Sequence, residues 1–298
     1  MLKIMSYIQL LRVHHYIKNI IIFIPLFFTM QIINVPLLRN AGLGFLIFSL
    51  LASIIYIFND LRDIEKDRQH NSKCRRPLAS GEIPVLHAIL IMIILAVLLI
   101  TLIVLLIILI DNLLIIFSLL LLYFSLNIGY SLGLKNFPIV DITILTSGYI
   151  IRLLFGAVLV GSNVSVWLYL VIIMGAYYLV LGKRKNEIAS NENGTREVIN
   201  FYNHDFLDKN MYVCQALCII FYALWSFDSE TIERFQTSAF IYTIPLIFLI
   251  FLKYSLNIEK IAEGDPVSVL LKDRILLLLV GIYVICAFCI IYFNRIVL

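Results

Sequence analysis

Residues 44–58, GFLIFSLLASIIYIF, run directly into residues 59–67, NDLRDIEKD. The first stretch contains no charged residue and predicts a membrane helix, whereas the second places four carboxylates where that helix ends. A row of acids at the mouth of an apolar helix indicates a polar site at the edge of a membrane. This junction therefore predicts both a helical membrane fold and the place of its chemistry.

The acidic residues of the junction are spaced for one face of a helix. If the helix continues, Asn59, Asp63 and Asp67 lie at i, i+4 and i+8, and Asp60 falls near the same face. Each step of four residues advances about 6 Å, which suits oxygen ligands around one or two hard cations such as Mg2+. A solvated helix end is the alternative, and it accounts for one or two acids but not for the row. We predict that Asn59, Asp63 and Asp67 bind magnesium and that Asp60, Asp63 and Asp67 are catalytic.

A basic segment follows the acids and ends in RRPLASG at residues 75–81. A cation on the acidic face and arginine forks from this segment can hold a diphosphate from both sides. The same lysines and arginines also mark a cytoplasmic loop, and both interpretations can hold at once. We predict that Arg75 and Arg76 bind substrate.

Composition limits the class of protein. The 298 residues are 62% hydrophobic and only 14% charged, with a mean hydropathy of +0.99, whereas a soluble globule carries about 25% charged residues. We therefore expect an all-α polytopic membrane bundle that forms a single domain over residues 1–298. The formal charge of +4 is too small to indicate a nucleic-acid partner. The polar and basic start of the chain predicts no cleavable signal.

Apolar periodicity predicts about nine transmembrane helices. They cover roughly residues 17–36, 42–58, 84–110, 113–130, 138–160, 165–182, 211–227, 236–254 and 274–293. If the N-terminus is cytoplasmic, 19 of the 23 lysines and arginines fall in the inside segments. The positive-inside rule then places the N-terminus and the acidic junction in the cytoplasm, and the C-terminus outside an inner or plasma membrane.

Two ionisable residues lie in the fifth predicted span. Asp141 and Arg152 are about 16 Å apart along a helix axis, so they cannot pair directly and each needs another partner. They could also serve as coupling charges of a transporter, although we find no inverted repeat to support that class. Gly148 and Gly156, in the same span, also fit close helix packing.

Two further basic stretches flank predicted spans. Lys18 stands at the start of the first predicted span, where the residues alone favour an interfacial anchor. Arg184 and Glu187 are three residues apart at the end of the sixth span, and the residues alone favour a surface ion pair there.

The pattern N-x-x-x-D-x-x-x-D followed by R-R-P-L-A-S-G resembles the first aspartate-rich motif of UbiA-type membrane prenyltransferases. Further stretches at residues 11–19, 130–156 and 183–187 resemble the decaprenyl-phosphate phosphoribosyltransferase branch of that superfamily. The resemblance implies a UbiA-like fold, Mg2+ as the cofactor and a set of substrate-binding residues. These are Lys18, Asn19, Arg75, Arg76, Tyr130, Lys135, Asp141, Arg152, Lys183, Arg184 and Glu187.

The resemblance also implies an activity, namely transfer of phosphoribosyl from phosphoribosyl pyrophosphate to a polyprenyl phosphate. The alternative is an aromatic prenyltransferase that uses a polyprenyl diphosphate. Such enzymes commonly carry a second motif, D-x-x-x-D, where this chain has K-R-x-x-E at residues 183–187. Lysine and arginine there suit a donor with an additional phosphate, which favours the first activity. The oligomeric state is left open.

Overall fold

The computed structural model of the protein describes residues 2–69, 73–110, 112–189, 197–260 and 265–293. Every regular element in these ranges is a helix, and none of them contains a strand, so the predicted all-α class is confirmed. The α-helices are, in chain order, α1 (Leu2–Leu11), α2 (Ile24–Phe28), α3 (Val35–Arg62), α4 (Ile64–Arg68), α5 (Val85–Leu109), α6 (Leu113–Leu132), α7 (Val140–Val160), α8 (Val166–Ala189), α9 (His204–Phe227), α10 (Ser229–Phe235), α11 (Ile244–Lys260), α12 (Pro266–Lys272) and α13 (Arg274–Tyr292).

Eight helices of the described chain are long and apolar enough to cross a membrane. They are α3, α5, α6, α7, α8, α9, α13 and the segment Ala239–Glu259. A ninth crossing forms if Ile4–Leu11 and Val13–Phe28, which meet at a bend of 43°, count as one span. The prediction of about nine spans is confirmed, but α8 continues to Ala189 where the sequence predicted an end near residue 182.

The second part of this bent pair begins with a 3-10 helix from Val13 to Phe23. Side chains three residues apart form one row on such a helix, and Tyr16 and Asn19 lie in that row. The Tyr16 hydroxyl lies 2.7 Å from Ser53 Oγ, and Asn19 Nδ2 donates to Ser49 Oγ at 2.9 Å. Three residues of a 3-10 helix and four residues of an α-helix both advance about 6 Å, so the two rows stay in register.

Ile22 continues the same row into a close approach of backbones. A Cβ added at Gly156 would lie 2.2 Å from the Ile22 carbonyl oxygen, and one at Gly44 would lie 2.2 Å from the Leu159 side chain. At Gly156 the neighbouring atom belongs to the backbone, so only glycine leaves room for this contact. The close packing predicted at Gly156 is therefore observed.

The chain forms two compact units. Unit 1 comprises residues 1–135 and 151–163, and unit 2 comprises residues 136–150 and 164–298. The division falls within α7, which contributes its first half to unit 2 and its second half to unit 1. The single domain predicted over residues 1–298 stays a prediction.

Each unit has its own apolar core. In unit 1, Phe48 packs against Tyr123 and Phe155 with ring centroids 5.1 and 4.8 Å apart. In unit 2, Tyr178 packs against Phe251 at 4.9 Å and is surrounded by aliphatic side chains of α8, α9 and α11. Rings at these distances stabilise beyond the area they bury. These two well-packed apolar cores position the polar residues that are described in the next subsection.

Candidate functional site

The acidic junction departs from a continuous helix at one residue. Asp63, with φ −96° and ψ 11°, separates the end of α3 at Arg62 from the start of α4 at Ile64. Two backbone bonds cross this break: the Asp63 N–H donates to the Asn59 carbonyl at 3.0 Å, and the Asp67 N–H donates to the Asp63 carbonyl at 2.8 Å. The prediction of one continuing helix is wrong at Asp63, whereas its four-residue repeat is kept.

Asp60 and Asp67 are the acids that share a partner. Both accept hydrogen bonds from the same nitrogen, Nη1 of Arg76, at 3.0 and 2.7 Å. Asp60 also accepts from Nη2 of Arg12 at 2.6 Å. The side chains of Asp60 and Asp67 are only 4% and 8% exposed, so the two arginines supply the positive charge that buried carboxylates require. The pairing of predicted residues Asp67 and Arg76 is thus observed.

Asp63 forms a separate ion pair. Its carboxylate lies 2.8 Å from Nζ of Lys135, and both side chains are 15% exposed. Next to it, Arg62 donates to the carbonyl of Ser131 and to that of Leu132, the latter at 3.2 Å. These contacts tie the end of α6 to the acidic junction and bring two predicted site residues together. We use the name acidic cluster for the ion-paired residues Arg12, Asp60, Asp63, Asp67, Arg76 and Lys135.

Asn19 and Arg152 meet elsewhere in unit 1. Arg152 Nε donates to Asn19 Oδ1 at 2.6 Å, and its Nη2 donates to the Tyr123 hydroxyl at 2.8 Å. The guanidinium also lies over the rings of Tyr123 and Phe48, 4.8 and 5.4 Å from their centroids, where cation–π attraction stabilises it. The prediction that Arg152 needs a partner other than Asp141 is confirmed. The contacts of Asn19 and Arg152 fasten α7 to the 3-10 helix.

Asp141 finds its partners in unit 2. Its Oδ2 accepts from Nε of Arg184 at 2.7 Å and its Oδ1 from the Tyr202 hydroxyl at 2.6 Å. Arg184 also donates to Glu187. The expected ion pair of Arg184 with Glu187 is observed, but the side chains of Asp141 and Arg184 are 0% exposed, so the expected place of the pair at the surface is wrong. We call Asp141, Arg184, Glu187 and Tyr202 the buried network.

Tyr202 is a member of this network that sequence reasoning did not select. Its hydroxyl donates to Asp141 and accepts the Ile139 N–H at 2.6 Å. Ile139 has φ 68°, a left-handed conformation that a β-branched residue rarely adopts, so the hydroxyl supports a strained turn. Burial and the bond to the Asp141 carboxylate both raise the pKa of Tyr202. Its partner Asp141 is 61 residues away, so local spacing gave no signal.

The remaining predicted residues differ in exposure. Lys18, Asn59, Tyr130 and Lys183 are half-buried, and Arg75 is exposed. Arg75 makes no ion pair with any residue in the described ranges.

The junction fits a hard cation by the chemistry of its donors. Carboxylate and amide oxygens from Asn59, Asp63 and Asp67 are ligands that Mg2+ prefers. Yet no three His, Cys, Asp or Glu side chains of the described chain form a group suited to hold a metal ion. Protein cations already lie against these carboxylates, one guanidinium between Asp60 and Asp67 and one ammonium at Asp63. A divalent ion therefore requires some of these contacts to open.

Known sequences resemble this chain over most of its length. Residues 21–187 match the profile of the UbiA prenyltransferase family. A decaprenyl-phosphate phosphoribosyltransferase of Corynebacterium glutamicum is 30% identical over 289 residues, which cover 94% of this chain and 84% of the relative. A protein of the same name from Mycobacterium tuberculosis is 28% identical over 250 residues, which cover 82% of this chain and 79% of the relative.

A solved structure resembles the fold as well. A UbiA homolog from Archaeoglobus fulgidus, bound to DMAPP and Mg2+, superposes with a TM-score of 0.69 and covers 96% of this chain and 99% of its own. The two sequences are 21% identical. The likeness shows a shared fold.

Proposed function

The chain belongs to the UbiA prenyltransferase family and is a multi-pass membrane transferase, and on that premise we propose that it transfers phosphoribosyl from phosphoribosyl pyrophosphate to a polyprenyl phosphate of the decaprenyl type. The observation that carries the proposal is the similarity to a relative named decaprenyl-phosphate phosphoribosyltransferase. That relative is 30% identical to this chain over an alignment that covers 94% of it. The K-R-x-x-E sequence at residues 183–187 supports it, because a phosphoribosyl donor brings an additional phosphate.

The acidic cluster would hold the leaving group of this reaction. In the transfer, the bond between ribose C1 and the diphosphate oxygen breaks, a bond from C1 to a lipid phosphate oxygen forms, and diphosphate leaves. Mg2+ held by Asn59, Asp63 and Asp67 would neutralise charge that develops on the diphosphate. Arg75, together with Arg76 and the other cations of the cluster, Arg12 and Lys135, would bind phosphate oxygens and fix the donor's orientation.

The acceptor needs little activation. A lipid phosphate is already anionic, so its oxygen can attack C1 without a strong general base. Catalysis then consists mainly of positioning the donor and stabilising charge. The apolar helices would keep the lipid tail within the bilayer, and exclusion of water from the site would limit hydrolysis of the donor.

The residues of the K-R-x-x-E sequence would divide two tasks between them. Arg184 is fully buried against Asp141 and Glu187, so its charge supports the fold of unit 2. Lys183 is half-buried and sits beside it in the sequence. We therefore assign the predicted contact with the donor's 5-phosphate first to Lys183.

The orientation of the protein follows from its charge distribution. We propose that the N-terminus and the acidic cluster are cytoplasmic in the inner or plasma membrane, with the C-terminus outside. A reporter inserted near residue 193 should then be inside and one fused after residue 298 outside; both sites lie beyond the described residues. The opposite signal at either site would contradict this topology.

Transfer of label tests the activity directly. Purified protein in lipid nanodiscs, supplied with Mg2+, ribose-labelled phosphoribosyl pyrophosphate and polyprenyl phosphate, should form a labelled lipid and release diphosphate. The same preparation should be offered a labelled polyprenyl diphosphate and an aromatic acceptor. Label that moves only in the second assay would refute phosphoribosyl transfer and leave membership of the family intact.

A further inference from the structure

We propose that the Arg76 guanidinium is an internal counter-cation that neutralises Asp60 and Asp67 of the acidic cluster. When a divalent ion enters, the guanidinium moves away from these carboxylates and binds the diphosphate of the donor. Metal and diphosphate would then bind cooperatively, each weakly when alone. The inference rests on the proposed function only in assuming that a metal and a diphosphate meet at this cluster.

The position of one nitrogen carries the proposal. Nη1 of Arg76 lies 2.7 Å from Asp67 Oδ2 and 3.0 Å from Asp60 Oδ1, so it bridges two carboxylates that are nearly buried. Mg2+ binds carboxylate oxygens at about 2.0–2.1 Å. The same oxygens cannot close around an ion while the guanidinium remains between them. Arg76 and a metal ion at this pair therefore exclude each other.

The charges of the cluster indicate where the guanidinium goes. Three carboxylates face three cations. Asp60 pairs with both Arg12 and Arg76, Asp67 pairs with Arg76, and Asp63 pairs with Lys135. A divalent ion alone would give this neutral group two excess positive charges in a poorly solvated place. If the diphosphate arrives with the ion, Arg76 passes from carboxylate to phosphate oxygens, and the negative charge of the diphosphate offsets the positive charge of the ion.

The surroundings of the two arginines show which of them can move. The Arg12 side chain is 17% exposed and its guanidinium lies 4.6 Å from the ring centroid of Tyr56, which holds it in place. The Arg76 side chain is 25% exposed, and no aromatic ring of the described chain covers its guanidinium. Its backbone N–H donates to the Lys73 carbonyl at 2.9 Å, so the chain is fixed while the side chain swings.

Linkage makes the exchange measurable. If diphosphate removes the competitor of the metal, then diphosphate strengthens metal binding and the metal strengthens diphosphate binding by the same factor. Removing the guanidinium should strengthen binding of the metal alone and reduce that factor. A residue that merely supports the fold would give neither change.

The test measures binding of Mn2+ alone to the purified full chain by electron paramagnetic resonance of free Mn2+. We expect R76Q to bind Mn2+ about tenfold tighter than the wild type, a factor within the usual range of coupling. R12Q should shift the affinity in the same direction but less. R68Q is the matched control: it removes a nearby arginine whose side chain is 51% exposed and pairs with Glu65 outside the acidic cluster, and it should leave the affinity for Mn2+ alone unchanged.

A second titration includes inorganic diphosphate, with the Mn2+–diphosphate complex calibrated in protein-free solution. Diphosphate should strengthen Mn2+ binding to the wild type severalfold, and this gain should be smaller in R76Q. Unchanged or weaker Mn2+ binding by a folded R76Q would overturn the proposal, as would D67N that binds Mn2+ like the wild type. If R76Q does not fold, R76K should show a smaller shift in the same direction. No donor is present, so the result is independent of whether phosphoribosyl is transferred.

Discussion

The acidic cluster of unit 1 and the buried network of unit 2 both join aspartate to arginine, but they differ in the exposure of the arginine. In the first, the Arg76 side chain is 25% exposed against carboxylates that are 4% and 8% exposed. In the second, Arg184 and Asp141 are both 0% exposed. A partly exposed arginine can exchange its carboxylate partner for a ligand, whereas a fully buried arginine stays paired with its aspartate. We therefore propose that the same pair of residue types supports binding in one region and folding in the other.

Substitution of an acid in the acidic cluster tests the first half of this comparison. D67N should abolish transfer, with a loss of more than about a thousandfold, because it removes a charged oxygen that the donor's cation requires. Its midpoint of thermal unfolding in detergent should change little. Measurement of label transfer to lipid provides the readout.

E65Q is the matched control for this loss. It neutralises an acid two residues away whose side chain is 81% exposed and pairs with Arg68. Transfer by E65Q should remain close to that of the wild type. Equal losses in both variants, or full activity of the wild type in EDTA, would contradict the assignment.

Removal of the arginine in the buried network tests the second half. R184A leaves Asp141 and Glu187 without their shared cation and should lower the free energy of unfolding by about 3–5 kcal/mol. Denaturant unfolding in detergent measures this loss. K209A, which breaks an exposed pair with Asp205, should cost less than about 1 kcal/mol. Similar effects of the two substitutions would show that burial does not distinguish the pairs.

Substitution of Lys183 distinguishes donor binding from structural support within the K-R-x-x-E sequence. K183A should reduce the apparent affinity for phosphoribosyl pyrophosphate roughly ten- to a hundredfold, the effect of one charge-assisted phosphate contact of about 1.5–3 kcal/mol. Unfolding should be less affected than by R184A. A large loss of stability with unchanged donor affinity would place Lys183 with the buried network instead.

The smallest expected effect concerns a single hydroxyl. Y202F removes the donor to Asp141 and the acceptor of the Ile139 N–H, and should destabilise the protein by about 1–3 kcal/mol. Hydrogen exchange of the Ile139 amide should accelerate in this variant. Unchanged exchange would show that the turn at Ile139 is held by other contacts.

Local periodicity in the sequence predicted much of this arrangement. The spans follow from apolar runs, and the separate partners of Asp141 and Arg152 follow from helical rise alone. The break at Asp63 could not be predicted in this way, and neither could the ion pair of Asp63 with Lys135, 72 residues away. The bond of Tyr202 to Asp141 and the shared nitrogen of Arg76 are also choices among distant partners. Residue spacing predicts which side chains share a face, but tertiary packing decides which charges meet.

The 3-10 helix described for the first crossing changes how a membrane span is counted. Its 11 residues from Val13 to Phe23 rise about 2.0 Å each, and the five residues of α2 rise about 1.5 Å each. Together they reach about 30 Å, the thickness of the hydrocarbon core, whereas the same residues as an α-helix would reach about 24 Å. At this rise, Val13–Phe28 matches the thickness of the hydrocarbon core with fewer residues than the usual threshold of about 20. Length in ångströms, rather than number of residues, decides whether this segment spans the bilayer.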